Sequence, residues 1–478
     1  MMKYVITLIT LLVGFISSQQ VLPELVQITE LVRHGARNGL KLILGTKFPA
    51  DIEPSRLTPN GHRMHYNLGV TLRKKYPEIF TTKTTTSQIN LYSSPVHRCQ
   101  QSAASQLMGL YPTGLYDLKI SVSSQSQMVL ADFEGTQNEL AGEWALPNSY
   151  APFPIITNSD IIDNLFMPVE DACPTMFEMI NAFRRTLDEK YLDLTKPVSD
   201  KLKAAGYDSK KLLNKDQFTL NDIAVIFDET FAYRNFYDKL PDGITEEIYD
   251  KMDKVANVDF LGMMGKDTFW KLHAHRMATE ILTGMKQWVD GKTNTPPKFR
   301  LFSGHDTNVL AWMAGLGLTS LECQTKRARG ETVSGSCLDI PPFASSIVLE
   351  IRRSAESQQL LVKPLLDGKI IKICKSQEES SSELCRMEEF EEITKSKLVW
   401  PGTQKNFLKA CGNKYLLTDY PDEKPAAPQP QSNSNVGYLI LGGAVVVLSV
   451  LVIVLWLRKP KQPDNNSTHL NEETLGLN

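Results

Sequence analysis

Leu31-Val32-Arg33-His34-Gly35-Ala36-Arg37-Asn38-Gly39 is the stretch from which the rest of the chain is read. The apolar, β-branched run Leu25–Val32 has strand length, so a strand is expected to empty into a loop here. That loop carries two guanidiniums, Arg33 and Arg37, whose planar forks of N–H donors match phosphate oxygens. Between them His34 offers a ring nitrogen as nucleophile, and Gly35 lets backbone come close to a ligand.

Two further blocks also begin at a strand end, there with polar residues that open a helix. Ser87–Ser93 alternates as a strand does, Ser94-Pro95-Val96-His97-Arg98 turns off its end, and Ala103, Leu107 and Leu110 continue as a helix. Lys298–Phe302 reads as another strand, followed by Ser303-Gly304-His305-Asp306-Thr307-Asn308 and a helix from about Val309. In open α/β folds, ligands bind at such carboxyl ends of strands. Taken singly, Arg98 is an ordinary helix-start arginine and Asp306 a good helix N-terminal residue. The three blocks together change that reading.

Arg33-His34-Gly35-x-Arg37 after an early strand resembles the signature of the histidine phosphatase superfamily, in its histidine acid phosphatase branch. Arg98 resembles that family's second block, and His305-Asp306 its third. The resemblance covers about residues 25–411 and departs at one motif position, where Gly39 stands for the usual proline and loosens the loop. It implies an α/β fold: a mixed, mainly parallel sheet flanked by helices, with an inserted helical cap that sets specificity. The implied catalytic residues are His34, attacking phosphorus to form a phosphohistidine, and Asp306, protonating the leaving oxygen and later deprotonating water. Arg33, Arg37, Arg98 and His305 are the implied phosphate ligands. No cofactor or metal is expected, and an acidic optimum is.

With 478 residues the chain can hold two domains, and a net charge of −2 gives no sign of a nucleic-acid partner. Residues 1–18 read as a secretory signal peptide. Residues 437–457 run without a charge, long enough to cross a bilayer, and Arg458, Lys459 and Lys461 follow. The expectation is a single-pass type I membrane protein at the cell surface or facing a lysosomal or vacuolar lumen. Its domain would stand on a Pro-, Ser- and Asn-rich stalk, 416–436, with 458–478 as a cytoplasmic tail.

In that oxidising compartment the seven cysteines become bridge candidates. Cys323/Cys337 and Cys374/Cys385 are close enough for local loops; Cys173 and Cys411 would then close a long one, leaving Cys99 free. The family resemblance supports the long bridge and a late local one, while sequence alone leaves the connectivity open.

The phosphatase domain is expected over 19–136 and 291–415, and the insert over 137–290, where helical periodicity dominates. Helices are expected near 173–190, 218–238, 244–258 and 266–289, the last with an apolar stripe of Trp270, His273, Met277, Ile281 and Met285. His62 and His65 lie three apart on a helix over 57–76, without a third metal ligand. The expected partner is a phosphate monoester, and oligomeric state, a dimer included, is left open. The rival readings are a mutase-like enzyme, disfavoured by the secretory features, and a catalytically silent surface receptor or adhesion module.

Overall fold

The structure, a computed structural model, describes residues 23–81, 84–112, 146, 152–158, 163–166, 172–264, 267–290, 296–379 and 382–414. All lie in one compact unit, Met1–Asp419. The expected signal peptide, the stalk with the 437–457 span, and the tail fall outside the described residues. Among the described residues no helix is long and apolar enough to cross a membrane.

The chain opens with β1 (Glu24–Arg33), α1 (Pro59–Lys75), β2 (Ile89–Ser93) and α2 (His97–Leu110). Then come α3 (Pro174–Lys190), α4 (Leu192–Ala204), α5 (Ser209–Leu213), α6 (Leu220–Tyr237), α7 (Glu246–Met263) and α8 (Asp267–Asp290). The last part holds β3 (Phe299–Gly304), α9 (Asp306–Gly315), α10 (Leu321–Ala328), β4 (Ser346–Arg353), β5 (Leu360–Leu366) and β6 (Lys369–Ile370). It closes with α11 (Lys375–Glu379), β7 (Cys385–Arg386), α12 (Met387–Leu398) and α13 (Gln404–Cys411).

One sheet runs β2-β3-β1-β4-β5-β6, with β7 also on β5. It is mixed, but not mainly parallel as expected. Among the strands of the described residues, only β1/β3 and β2/β3 are parallel; β4, β5, β6 and β7 pair antiparallel. The reason lies in the connections. Long crossovers through α1 and through the insert return β2 and β3 parallel, whereas a short turn after Arg353 can only reverse the chain into β5.

In β1 every residue from Leu25 to Arg33 is buried, as suits a strand covered on both faces. Leu25, Ile28 and Val32 face a core with Leu72, Leu107 and Leu110 of α1 and α2. Val26 and Leu31 face the other core, shared with α8, α9, α12 and α13. The α8 stripe behaves as its spacing predicts, with Trp270, His273, Met277, Ile281 and Met285 all buried. So α8, which the sequence places in the insert, shares the sheet's core. Helices α3 to α7 bury residues such as Leu202, Ile223, Met252 and Val258 in a separate cluster. Helix α4 was not expected from sequence, because Pro197 interrupts the pattern; the helix runs through that proline all the same, without the backbone N–H that would have reached the Asp193 carbonyl.

Cys173–Cys411, Cys323–Cys337 and Cys374–Cys385 form disulfides, and Cys99 is a free, buried thiol, the pairing the sequence reading favoured.

Candidate active site

The sheet register brings the three blocks together. Arg33 stands opposite Gly304, and Ser93 opposite Ser303, so β1, β2 and β3 end level with one another. The residues just beyond those ends are His34, Ser94 and His305, each leaving a neighbouring strand at the same height. The loop after β1 then presses on the start of α1. A Cβ on Gly35 would come within 2.4 Å of the Gly61 carbonyl oxygen, so glycine is required there. Thr58 caps α1 and Pro59 occupies its first position, as the sequence predicts.

All six candidate residues meet in this place. The Arg33 guanidinium pairs with Asp306 at 2.8 Å and also donates to the Pro341 carbonyl. Arg98 donates to Ser55 Oγ at 2.8 Å and to His305 Nδ1 at 3.3 Å. The rings of His34 and His305 are 5.7 Å apart between centroids. Arg37 is held by a bidentate pair with Asp228 at 3.0 and 2.6 Å.

These bonds decide tautomers. His34 Nδ1 lies 2.9 Å from the Gly35 carbonyl, which can only accept, so the proton sits on Nδ1 and Nε2 keeps its lone pair. His305 Nδ1 faces an arginine, which can only donate; its proton is therefore on Nε2, 2.9 Å from Ser94 Oγ. Both ring nitrogens of His305 are thus engaged by the protein. In this arrangement it orients Arg98 and offers phosphate no free donor, unlike the ligand role the resemblance implies.

The electrostatics follow the same division. Burial, then Arg98, Arg33 and Arg37, hold His34 well below the usual imidazole range, so it stays neutral. Burial and Arg98 push His305 down to about 3. Burial pushes the Asp306 carboxyl up, but Arg33, Arg37 and His305 outweigh it and leave the group below its ordinary value. Cys99, 3.3 Å from the Gly304 carbonyl, is pushed up to about 12 by burial and is therefore an unreactive thiol.

Arg33, Arg37 and Arg98 each keep one buried Nε–H without a hydrogen-bond partner among the described residues. Arg184 and Arg300 do so too, elsewhere in the fold, but here three such groups act on one imidazole. Buried donors left unmade are costly, and an anion among them would remove the cost.

Several contributors escaped sequence reasoning. Phe343 lies under the Arg33 guanidinium at 4.5 Å and stacks on Phe231 at 4.7 Å. His65, which had no third metal ligand in the sequence, places Nε2 3.1 Å from the Arg33 carbonyl and Nδ1 3.0 Å from Gln106. Asp228 is the most consequential. With Glu229 it lets α6 grip the loop after β1: Asp228 accepts from Leu40 N–H, and Glu229 accepts from Leu44 N–H, Thr46 N–H and the Thr46 hydroxyl. A Cβ on Gly39 would lie 2.9 Å from Leu42 Cδ2, the movable end of a side chain, and 3.3 Å from Glu229 Cα, so a larger residue there would crowd this grip. The loop gets from α6 the rigidity that proline would have supplied.

Removing Asp228 strands a buried cation. Asp228→Ala is expected to cost about 3 kcal/mol in urea unfolding. Inorganic phosphate should raise the melting temperature of this variant more than that of the parent, because it replaces the lost charge.

The comparisons with known proteins agree with this geometry. Lysosomal acid phosphatase of Xenopus laevis is 23% identical over 305 residues, 61% of this chain and 62% of that protein. Prostatic acid phosphatase of Bos taurus is 23% identical over 297 residues, 60% of this chain and 67% of that one. The chain thus spans roughly two thirds of the length of these curated relatives, or less. Among solved structures, a Hafnia alvei phytase in complex with tartrate superposes with a TM-score of 0.55 at 14% identity, covering 81% of this chain and 98% of that one. That likeness shows the shared fold. A family model matches residues 40–367, beginning directly after the Arg33–Gly39 loop, and the chain belongs to the histidine phosphatase superfamily, branch 2.

Proposed function

We propose that the protein is a membrane-anchored acid phosphatase that hydrolyses phosphate monoesters through a phosphohistidine, without a metal. The observation that carries this reading is the level ending of β1, β2 and β3, with a neutral His34 among three arginines, one of which, Arg33, pairs with Asp306. His34 Nε2 attacks phosphorus as the bond to the ester oxygen breaks, and Asp306 gives that oxygen its proton. Water then attacks the phosphohistidine, Asp306 takes back a proton, and phosphate leaves. The arginines stabilise the charge spread over the transferring oxygens; His305 keeps Arg98 in place. Helices α3 to α7 form the cap over the leaving group. The three disulfides support an oxidising compartment, and residues 437–457 would supply the anchor. The names of the relatives support the activity.

The pH profile tests the protonation scheme. One proton is needed in the reacting complex, on Asp306 or on a substrate phosphate whose second pKa is about 6. Because Asp306 lies below its ordinary value in the free protein, the proton enters on the substrate, and kcat/KM should fall about tenfold per unit as pH rises above about 6. His34, held low, should not titrate on the acid side, so activity should keep rising as pH drops through 6.5. A loss between pH 6.5 and 5.5 would show a nucleophile with an ordinary imidazole pKa.

A silent receptor on the same fold is the second reading, favoured by the engagement of Arg37 with Asp228 and of both His305 nitrogens. Incubation with radiolabelled monoester separates the two: an acid-labile, alkali-stable phosphoprotein supports the enzyme, and its absence supports the receptor.

A further inference from the structure

Arg33 and Asp306 form one wall of a cavity of about 170 Å³ whose opposite walls come from α6 and α7. Since the proposed acid lines it, the alcohol half of a substrate would lie here, a placement that rests on the phosphatase reading. The far walls carry four aromatic rings, Phe227, Phe231, Tyr249 and Phe260, and two carboxylates, Asp228 and Asp253. The lining includes no lysine or histidine, and its one arginine, Arg33, is already paired. We propose that this cavity binds an ammonium group, so that the preferred substrates are phosphate monoesters of amino alcohols, with phosphocholine as the simplest probe.

Aromatic faces attract cations when water is excluded, and a carboxylate nearby adds to that attraction. Asp253 is the informative member. It accepts a hydrogen bond from Asn257 Nδ2 at 3.1 Å and has no ion pair among the described residues, while neighbouring Arg327 is committed to Asp339. Burial, with the Asp339 carboxylate, raises Asp253 to about 6, as expected of a carboxyl without a counter-cation. Asp228 adds to this once a phosphoryl group shares the charge of Arg37, its present partner. A purely aromatic alcohol would satisfy the rings and leave Asp253 unpaired. A second phosphate would meet three carboxylates and no free cation, so a polyphosphorylated alcohol is disfavoured although the fold is shared with a phytase.

The experiment compares kcat/KM of the purified full-length protein for phosphocholine and for dimethylbutyl phosphate, in which carbon replaces nitrogen at nearly constant shape. Phosphocholine is expected to be preferred by roughly tenfold or more. In Asp253→Asn, which keeps the shape and removes the charge, the ratio should fall several-fold. Phenyl phosphate and phytate complete the panel. Equal rates for the matched pair, a ratio unmoved in Asp253→Asn, or better turnover of phenyl phosphate or phytate would each overturn the ammonium site and leave the phosphatase reading intact. If none of these esters, nor p-nitrophenyl phosphate, is hydrolysed, the phosphatase reading fails and this inference goes with it.

Discussion

Replacing His34 by alanine should reduce p-nitrophenyl phosphate turnover on the order of 10⁴-fold or more, with no phosphate retained on the protein after acid-free denaturation. The size of the effect comes from the geometry. Nδ1 is tied to the Gly35 carbonyl, which leaves Nε2 as the free lone pair, and burial among three guanidiniums keeps it unprotonated. No neighbour can take over. His305 spends both nitrogens on Arg98 and Ser94, and the Cys99 thiol is far from ionising. The alanine variant should still bind inorganic phosphate, because its arginines are untouched. A variant that hydrolyses substrate at a tenth of the parent rate would refute the nucleophile assignment.

Asp306→Asn should behave differently, slowing both halves of the reaction while allowing the first to proceed. General acid catalysis contributes about 10²- to 10⁴-fold, and most for poor leaving groups. Alkyl phosphates should therefore lose that full factor, and p-nitrophenyl phosphate much less, since nitrophenolate leaves without a proton. Without a base to activate water, the phosphohistidine should accumulate. Rapid mixing should show one equivalent of nitrophenolate released, then a slow steady state. The asparagine oxygen can still accept from Arg33, now 2.8 Å from the carboxylate, so the site should keep its shape. Equal losses on both substrate types, with no burst, would mean that residue 306 holds Arg33 and transfers no proton.

Much of this site was legible in the sequence because its parts are local. Arg33, His34 and Arg37 fall within five residues at a strand end, and each of the other two blocks is a strand end with the first turn of the helix that follows. Strand and helix periodicity located β1, β2, β3, α1 and α8 to within a few residues. Helix α4 was obscured by Pro197, whereas the runs at 347–351, 360–365 and 369–373 do read as an antiparallel edge, and only the balance of the sheet was misjudged as mainly parallel. What could not be read is what folding brings from afar. Asp228 lies 191 positions from Arg37, on a helix where an acid looks like any solvated charge. Phe343 sits in a proline-rich turn, with no sign in the local pattern of two arginines beside it. His65 carried no sign of its role, because helical spacing cannot show that its ring points at the backbone of residue 33.

The Cys173–Cys411 link joins positions 238 apart, spanning α3 to α13. Closing so long a loop limits the unfolded chain by about 5 kcal/mol in the chain-entropy account. It also means that a single protease cut anywhere between those two sulfurs does not release a fragment. Nicked protein should migrate as one band on a gel without thiol and separate into two with it, so integrity judged under oxidising conditions alone would overlook a broken backbone.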